Sequence, residues 1–304
     1  MKLSIVTTLY YSEPFIKEFH RRMSAEAKKI SDSFEIIFVN DGSPDQSLQT
    51  AIELHKSDSH VKVLDLSRNF GHHKAIMTGL AHAKGDYVFL LDVDLEEQPE
   101  WLGIFWKEME NQAEYDVIYG IQDVRKGKWF EKISGNFFFN FFNSLSDTKI
   151  TKNIVLTRLM TRQYVENLVK HTEHELVFAG LCALTGFHQK GVTITKLHKG
   201  STTYNLSKKI NVAINFLVSF SSRPLVYIFY LGMLITFISL IALVAIIAQK
   251  IFYGAFVGWT SVITTILFIG GIIIFSIGIV GIYLSKIFIE VKNRPYTIVR
   301  KAYE

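Results

Sequence analysis

Cysteine is nearly absent from this chain: among 304 residues there is one, Cys182. A single thiol excludes a disulfide framework and any metal site built on cysteines. Internal repeats and low-complexity segments are missing too. So is charge, over two long stretches: none falls between Pro224 and Ala248, and none between Phe252 and Ser285. Each run exceeds the roughly 20 apolar residues needed to cross a bilayer. Transmembrane helices are therefore predicted at 224–249 and 259–285, joined by the short Gln249 to Gly258 segment as an antiparallel hairpin. The lack of any charge inside these runs argues against an ion or solute transporter. Met1 to Leu9 has no long apolar run and no small-residue cleavage site, so it reads as a strand and not as a signal peptide.

Hydrophobic residues make up 49% of the chain, the formal net charge is +5, and the mean hydropathy is +0.21 with a pI near 9.0. The apolar excess lies at one end, and basic residues flank it. Lys208, Lys209 and Arg223 precede the first run; Lys286, Lys292, Arg294, Arg300 and Lys301 follow the second; only Lys250 lies between. Lys and Arg concentrate on the cytoplasmic side of a membrane. The expected arrangement is an inner-membrane protein with its N-terminal region (1–205) and the segment 286–304 both cytoplasmic. The basic balance comes with no nucleic-acid-binding motif.

The first hundred residues alternate two periodicities. Apolar, β-branched runs at Leu3 to Leu9, Phe34 to Val39, Val61 to Leu66 and Tyr87 to Leu91 read as strands, with a fifth at Asp116 to Tyr119. Between them, Glu13 to Ile30, Ser47 to Lys56, His73 to Ala83 and Trp101 to Asn111 carry helical spacing. This alternation predicts an α/β fold with a mainly parallel sheet covered by helices on both faces, and ligands beyond the carboxyl ends of the strands. Two further segments look interfacial: the Phe-rich stretch at about 128–145, and Leu206 to Ser222, part of an amphipathic helix expected at 206–223.

Three polar clusters fall at predicted strand ends: Tyr10-Tyr11-Ser12-Glu13, Asn40-Asp41-Gly42-Ser43, and Asp92-Val93-Asp94. Alternation along an extended chain puts Asp92 and Asp94 on one side. Two carboxylates aimed at one point suit a hard divalent cation bridging to phosphates, although the same spacing also suits helix capping. His171, His174 and Glu175 fit either a metal site or a solvated patch.

Taken in order, Val39-Asn40-Asp41-Gly42-Ser43, Leu66-Ser67-Arg68-Asn69-Phe70-Gly71-His72, Asp92-Val93-Asp94-Leu95, Arg158-Leu159-Met160 and Glu290-Val291-Lys292-Asn293-Arg294-Pro295 resemble family-2 glycosyltransferases of the GT-A (Rossmann-like) fold. More narrowly they resemble the polyprenyl-phosphate glycosyltransferases, which include bactoprenol glucosyltransferases and dolichol-phosphate mannose synthases. The resemblance implies inverting transfer of a sugar from a UDP- or GDP-sugar to polyprenyl (undecaprenyl) phosphate, with Mg²⁺ or Mn²⁺, for the cell envelope. It implies Asp92 and Asp94 as catalytic and metal-holding residues, and Tyr10, Asp41, Arg68 and Asp92 around the nucleotide-sugar. It further implies Arg125, Lys132 and Ser134 at the acceptor phosphate, Arg158 as a further candidate, and a homotetramer.

Departures accompany the resemblance. Relatives read Gly-Asp-Phe-Arg where this chain has Val155-Leu156-Thr157-Arg158, so a carboxylate is replaced by Leu156. Glu96-Glu97-Gln98 stands for Gln-Asp-Pro, and Gln122 stands where an Arg is frequent. These changes surround donor and acceptor and leave the sugar open. Two other functions compete. A processive polysaccharide synthase would carry a Gln-x-x-Arg-Trp motif, which does not occur here. A non-catalytic membrane scaffold of the same fold would not need the intact Asp41, Asp92 and Asp94.

Overall fold

The structure is a computed structural model that describes residues 2–112, 114–122, 153–173, 178–195, 223–253 and 258–304. It divides into two compact units. One holds the N-terminal region together with Arg294–Glu304; the other consists chiefly of Leu206–Asn293.

In the first unit four parallel strands form the centre: β1 (Leu3–Leu9), β2 (Phe34–Asn40), β3 (Val61–Leu66) and β4 (Tyr87–Leu90). Between them run α1 (Glu13–Lys28), α2 (Ser47–Ser57) and α3 (His72–His82), and α4 (Trp101–Asn111) follows β4. Every residue of β1 and β2 is buried, as expected for strands covered on both faces. On one face Ile16, Phe19, Met23 and Ala27 of α1 and Phe105 and Met109 of α4 pack on Leu3, Ile5 and Leu9. On the other, Ala75, Ile76 and Leu80 of α3 pack on Val6, Val39 and Leu90. Gly79 permits that contact, since a Cβ there would lie 2.5 Å from Val6 Cγ1.

Beyond β4 the sheet becomes mixed. β5 (Val117–Gln122), β6 (Ile154–Thr161) and β7 (Gln189–Ile194) extend it, with α5 (Arg162–Leu168) and α6 (Phe178–Leu184) on the α3 face. β6 runs antiparallel to both β4 and β5. The opposite edge is closed by β8 (Val299–Tyr303), antiparallel to β3, giving the order β7-β5-β6-β4-β1-β2-β3-β8.

The second unit contains α7 (Arg223–Tyr253) and α8 (Trp259–Val291). Among the described residues one stretch, Phe268–Val291, is long and apolar enough to cross a membrane, with a mean hydropathy of 2.3; Leu225–Ile235 is a shorter apolar stretch. Both helices outrun the expected 224–249 and 259–285. The expected tail at 286–304 is also not one piece: α8 continues to Val291, and Val299–Tyr303 is a strand of this chain's own sheet.

Candidate active site

The parallel strands end in register. Leu9 lies opposite Asn40, Asn40 opposite Asp65, and Val6 opposite Leu90. The residues just past these ends therefore share one edge: Tyr10, Asp41, the loop Ser67–Gly71, and Asp92. Arg68 stands in that loop, exposed, with its guanidinium 4.2 Å from the Phe70 ring centroid.

Asp41 braces the loop. Its Oδ1 accepts the Phe70 N–H at 2.7 Å and its Oδ2 the Gly71 N–H at 3.0 Å. Burial raises its pKa, opposed by those two amides and by the Arg68 charge. With 1% exposure, its carboxylate is turned inward onto the loop it holds. Gly42 allows the fit. It has φ +61°, and a Cβ there would strike the backbone of Arg68 and Asn69.

Tyr10 is 49% exposed and meets the Tyr11 ring edge-on at 4.8 Å, leaving an aromatic surface beside the loop. Tyr11 has φ +53°, held there by its N–H donating to Ser43 Oγ at 2.8 Å. A left-handed conformation at a bulky residue is strained, and such strain clusters at functional sites.

Asp92 and Asp94 are not strand residues. β4 stops at Leu90, and the pair rides on the turn that follows. Val93 between them is buried while both acids are half-exposed. Asp94 Oδ1 accepts the Glu96 N–H at 3.0 Å, and Leu95 has φ +63°. Glu97 is fully buried and accepts hydrogen bonds from the backbone N–H and the hydroxyl of Thr157 on β6. The turn is thus pinned to the neighbouring strand.

His72, which the sequence reading gave no role, completes the edge. Its Nδ1 is 3.0 Å from Thr8 Oγ1 and its Nε2 3.4 Å from Asp92 Oδ1. Burial, then the neighbouring His73, pushes its pKa down to about 4 against the attraction of Asp94. The ring thus lies where it can orient the Asp92 carboxylate.

Arg158, the further candidate, turns inward. Although opposite Leu90 in register, it is 2% exposed. It donates to the Leu156 carbonyl and to Cys182 Sγ and lies over the Phe178 ring. It is a brace between β6 and α6. His171 Nδ1 lies 3.2 Å from the Leu168 carbonyl oxygen. Arg125, Lys132, Ser134, His174, Glu175, the segment 128–145 and residues 206–222 lie outside the described residues.

The donors at the edge fit a hard cation, since Asp92 and Asp94 offer carboxylate oxygens on one turn. Among the described residues no group of three or more His, Cys, Asp and Glu side chains forms a cage. Oxygens from a bound ligand would have to complete the coordination, which is how Mg²⁺ at phosphate sites is usually held.

The sequence model of the family described as "Glycosyl transferase family 2" matches residues 4–170. The chain belongs to glycosyl transferase family 2. Its mainly parallel α/β sheet fits the GT-A architecture, and the protein is a family-2 glycosyltransferase. A Mycobacterium tuberculosis (strain CDC 1551 / Oshkosh) protein bearing a glycosyltransferase name is 49% identical over 304 residues, covering 100% of this chain and 89% of its own. The bactoprenol glucosyl transferase of Shigella phage SfII is 31% identical over 306 residues, covering 100% of this chain and 99% of its own. Among solved structures, mannosyl-3-phosphoglycerate synthase from Rubrobacter xylanophilus aligns with a TM-score of 0.49 at 14% identity, over 72% of this chain and 73% of that one.

Proposed function

We propose that this family-2 glycosyltransferase moves a sugar, with inversion, from a nucleotide-sugar to polyprenyl phosphate at the membrane. The observation that carries the reading is the meeting of Tyr10, the Asp41-braced loop, and Asp92 with Asp94 at one sheet edge, in a chain that also bears the apolar Phe268–Val291 helix. A relative named for bactoprenol, matched over its full length, supports the acceptor class.

In this reading Tyr10 packs on the nucleotide base, and Arg68 faces the donor from the loop that Asp41 orders. Asp92, oriented by His72, and Asp94 would hold Mg²⁺ or Mn²⁺. When bound, that ion neutralises charge developing on the departing diphosphate. The acceptor phosphate is already ionised and nucleophilic, so the protein's task is to position it. Arg125, Lys132 and Ser134 are the proposed acceptor contacts. Because the incoming phosphate needs no strong base, Leu156 in place of a carboxylate is compatible with transfer.

Membrane topology follows a parity argument. β8 and β1 belong to one sheet, so an even number of crossings must separate them. This supports two spans, drawn from α7 and α8, with both flanks cytoplasmic as the Lys and Arg distribution favours.

The test is transfer itself. Purified full-length protein is incubated with undecaprenyl phosphate, Mg²⁺ or Mn²⁺, and a panel of UDP- and GDP-sugars. A lipid-linked sugar is expected from at least one donor. No product from any donor would instead favour a scaffold.

A further inference from the structure

We infer that the segment following α8 positions the donor loop, with Arg300 as its principal positioning residue. The inference rests on the proposed role of Ser67–Gly71 in holding the nucleotide-sugar. Val299 pairs with Leu66 and Lys301 with Asp65, across a register shift. Past the end of β3 the contact continues: the Ser67 N–H donates to the Ile298 carbonyl at 2.9 Å. Arg300 Nη2 donates to the Ser67 carbonyl at 2.6 Å. Both backbone polar groups of Ser67, the first residue of the loop, are therefore taken by this one segment.

The helix that follows the loop is held as well. The loop runs into α3, and the Thr297 hydroxyl lies 2.7 Å from that of Thr78, which is buried in α3. Tyr296 packs against the same layer. A second path leads inward from Arg300. Its Nη1 is 3.7 Å from Asp65 Oδ2, and Asp65 Oδ1 accepts from Asn40 Nδ2 at 2.8 Å. Asn40 Oδ1 in turn accepts the Ser43 N–H at 3.2 Å, and Ser43 Oγ accepts the Tyr11 N–H. The path ends beside Tyr10.

A strand that merely sealed the edge of β3 would need only its main-chain ladder. Here the side chains of Thr297 and Arg300 reach outside that ladder, one to the middle of α3 and the other to the start of the loop. Only Lys292 to Ile298 separates α8 from β8, so a short covalent link joins the proposed membrane anchor to the strand that holds the donor loop.

The experiment uses full-length protein in detergent, with Arg300→Ala and Thr78→Val. Steady-state transfer and hydrogen–deuterium exchange without substrates are the two readouts. For Arg300→Ala the donor KM is expected to rise about fivefold to tenfold, as for loss of one charge-assisted hydrogen bond near the surface. The kcat and the acceptor KM should hold. Amides of residues 67–71 should exchange faster, with β1 and β2 unchanged; Thr78→Val should give the same pattern. Unchanged donor KM and loop exchange in both variants would overturn the inference. So would exchange rising equally across β1 and β2, which marks a purely structural strand. If the wild type transfers no sugar, the proposed function fails, and loop exchange alone decides the positioning role.

Discussion

The Glu97 carboxylate, buried on the turn after Asp94, receives the Thr157 backbone N–H at 3.1 Å from the adjacent strand. This contact joins the acidic turn to β6 at the residue next to Leu156. Glu97→Ala leaves that buried donor unmatched, at a cost of about 1–3 kcal/mol, and frees the turn. We expect a lower unfolding midpoint in detergent and a reduced kcat, with Glu97→Gln closer to wild type. An unchanged midpoint for the alanine variant would remove the anchoring role.

Asp94→Asn should lower transfer by at least about a hundredfold, in the range seen when one electrostatic contact to a developing charge is lost. The protein should stay folded, since the asparagine Oδ1 still accepts the Glu96 N–H. Near-full activity in this variant would sink the metal role.

Asp41→Asn replaces one of two acceptors with an amide donor facing a backbone N–H. Loss of that bond should destabilise the Ser67–Gly71 loop by about 1–3 kcal/mol. The expected signature is a raised donor KM with the acceptor KM unchanged, read from initial rates over both substrates.

Stability should fall in acid partly through Glu35. Burial alone would raise its pKa, but hydrogen bonds from Ser4, the Lys84 N–H and Lys62 overcome it and draw the value down to about 2. A carboxyl with a depressed folded-state pKa contributes fully above its ordinary value of 4.5 and loses that contribution as pH falls toward the folded value. Chemical denaturation between neutral pH and pH 3 should show a shallower acid loss for Glu35→Gln than for wild type.

Gly42→Ala should be worse than an ordinary surface change. It forces an L side chain into φ +61° against the Arg68 and Asn69 backbone, costing about 1–2 kcal/mol from the dihedral alone. A lower melting temperature and a raised donor KM are the measurements.

The four central strands and their helices were legible because continuous β-branched runs and 3.6-residue spacing are local signals. β6 was not, since Arg158 interrupts its apolar pattern; that charge is tolerated only because Cys182 and the Phe178 ring meet it from another element. β7 and β8 are partly exposed edge strands with polar sequences. The local pattern around Val299 held no hint that β3 of the same chain was its partner. At the site, residue types and order revealed the clusters, but roles needed tertiary contact. Asp41 meets a loop some thirty positions on, and His72 meets Thr8 at a separation of 64.

The placement of β8 also sets an order of assembly. The edge of β3 is complete only after both long helices have been synthesised. At about 5–20 residues per second, roughly 240 residues of translation place an interval on the order of 10–50 s between Leu66 and β8. During that time the nascent domain carries an open strand edge, the kind of surface that templates aggregation. Insertion of the proposed membrane anchor and protection of the unfinished sheet would therefore be a single problem for the cell that makes this protein.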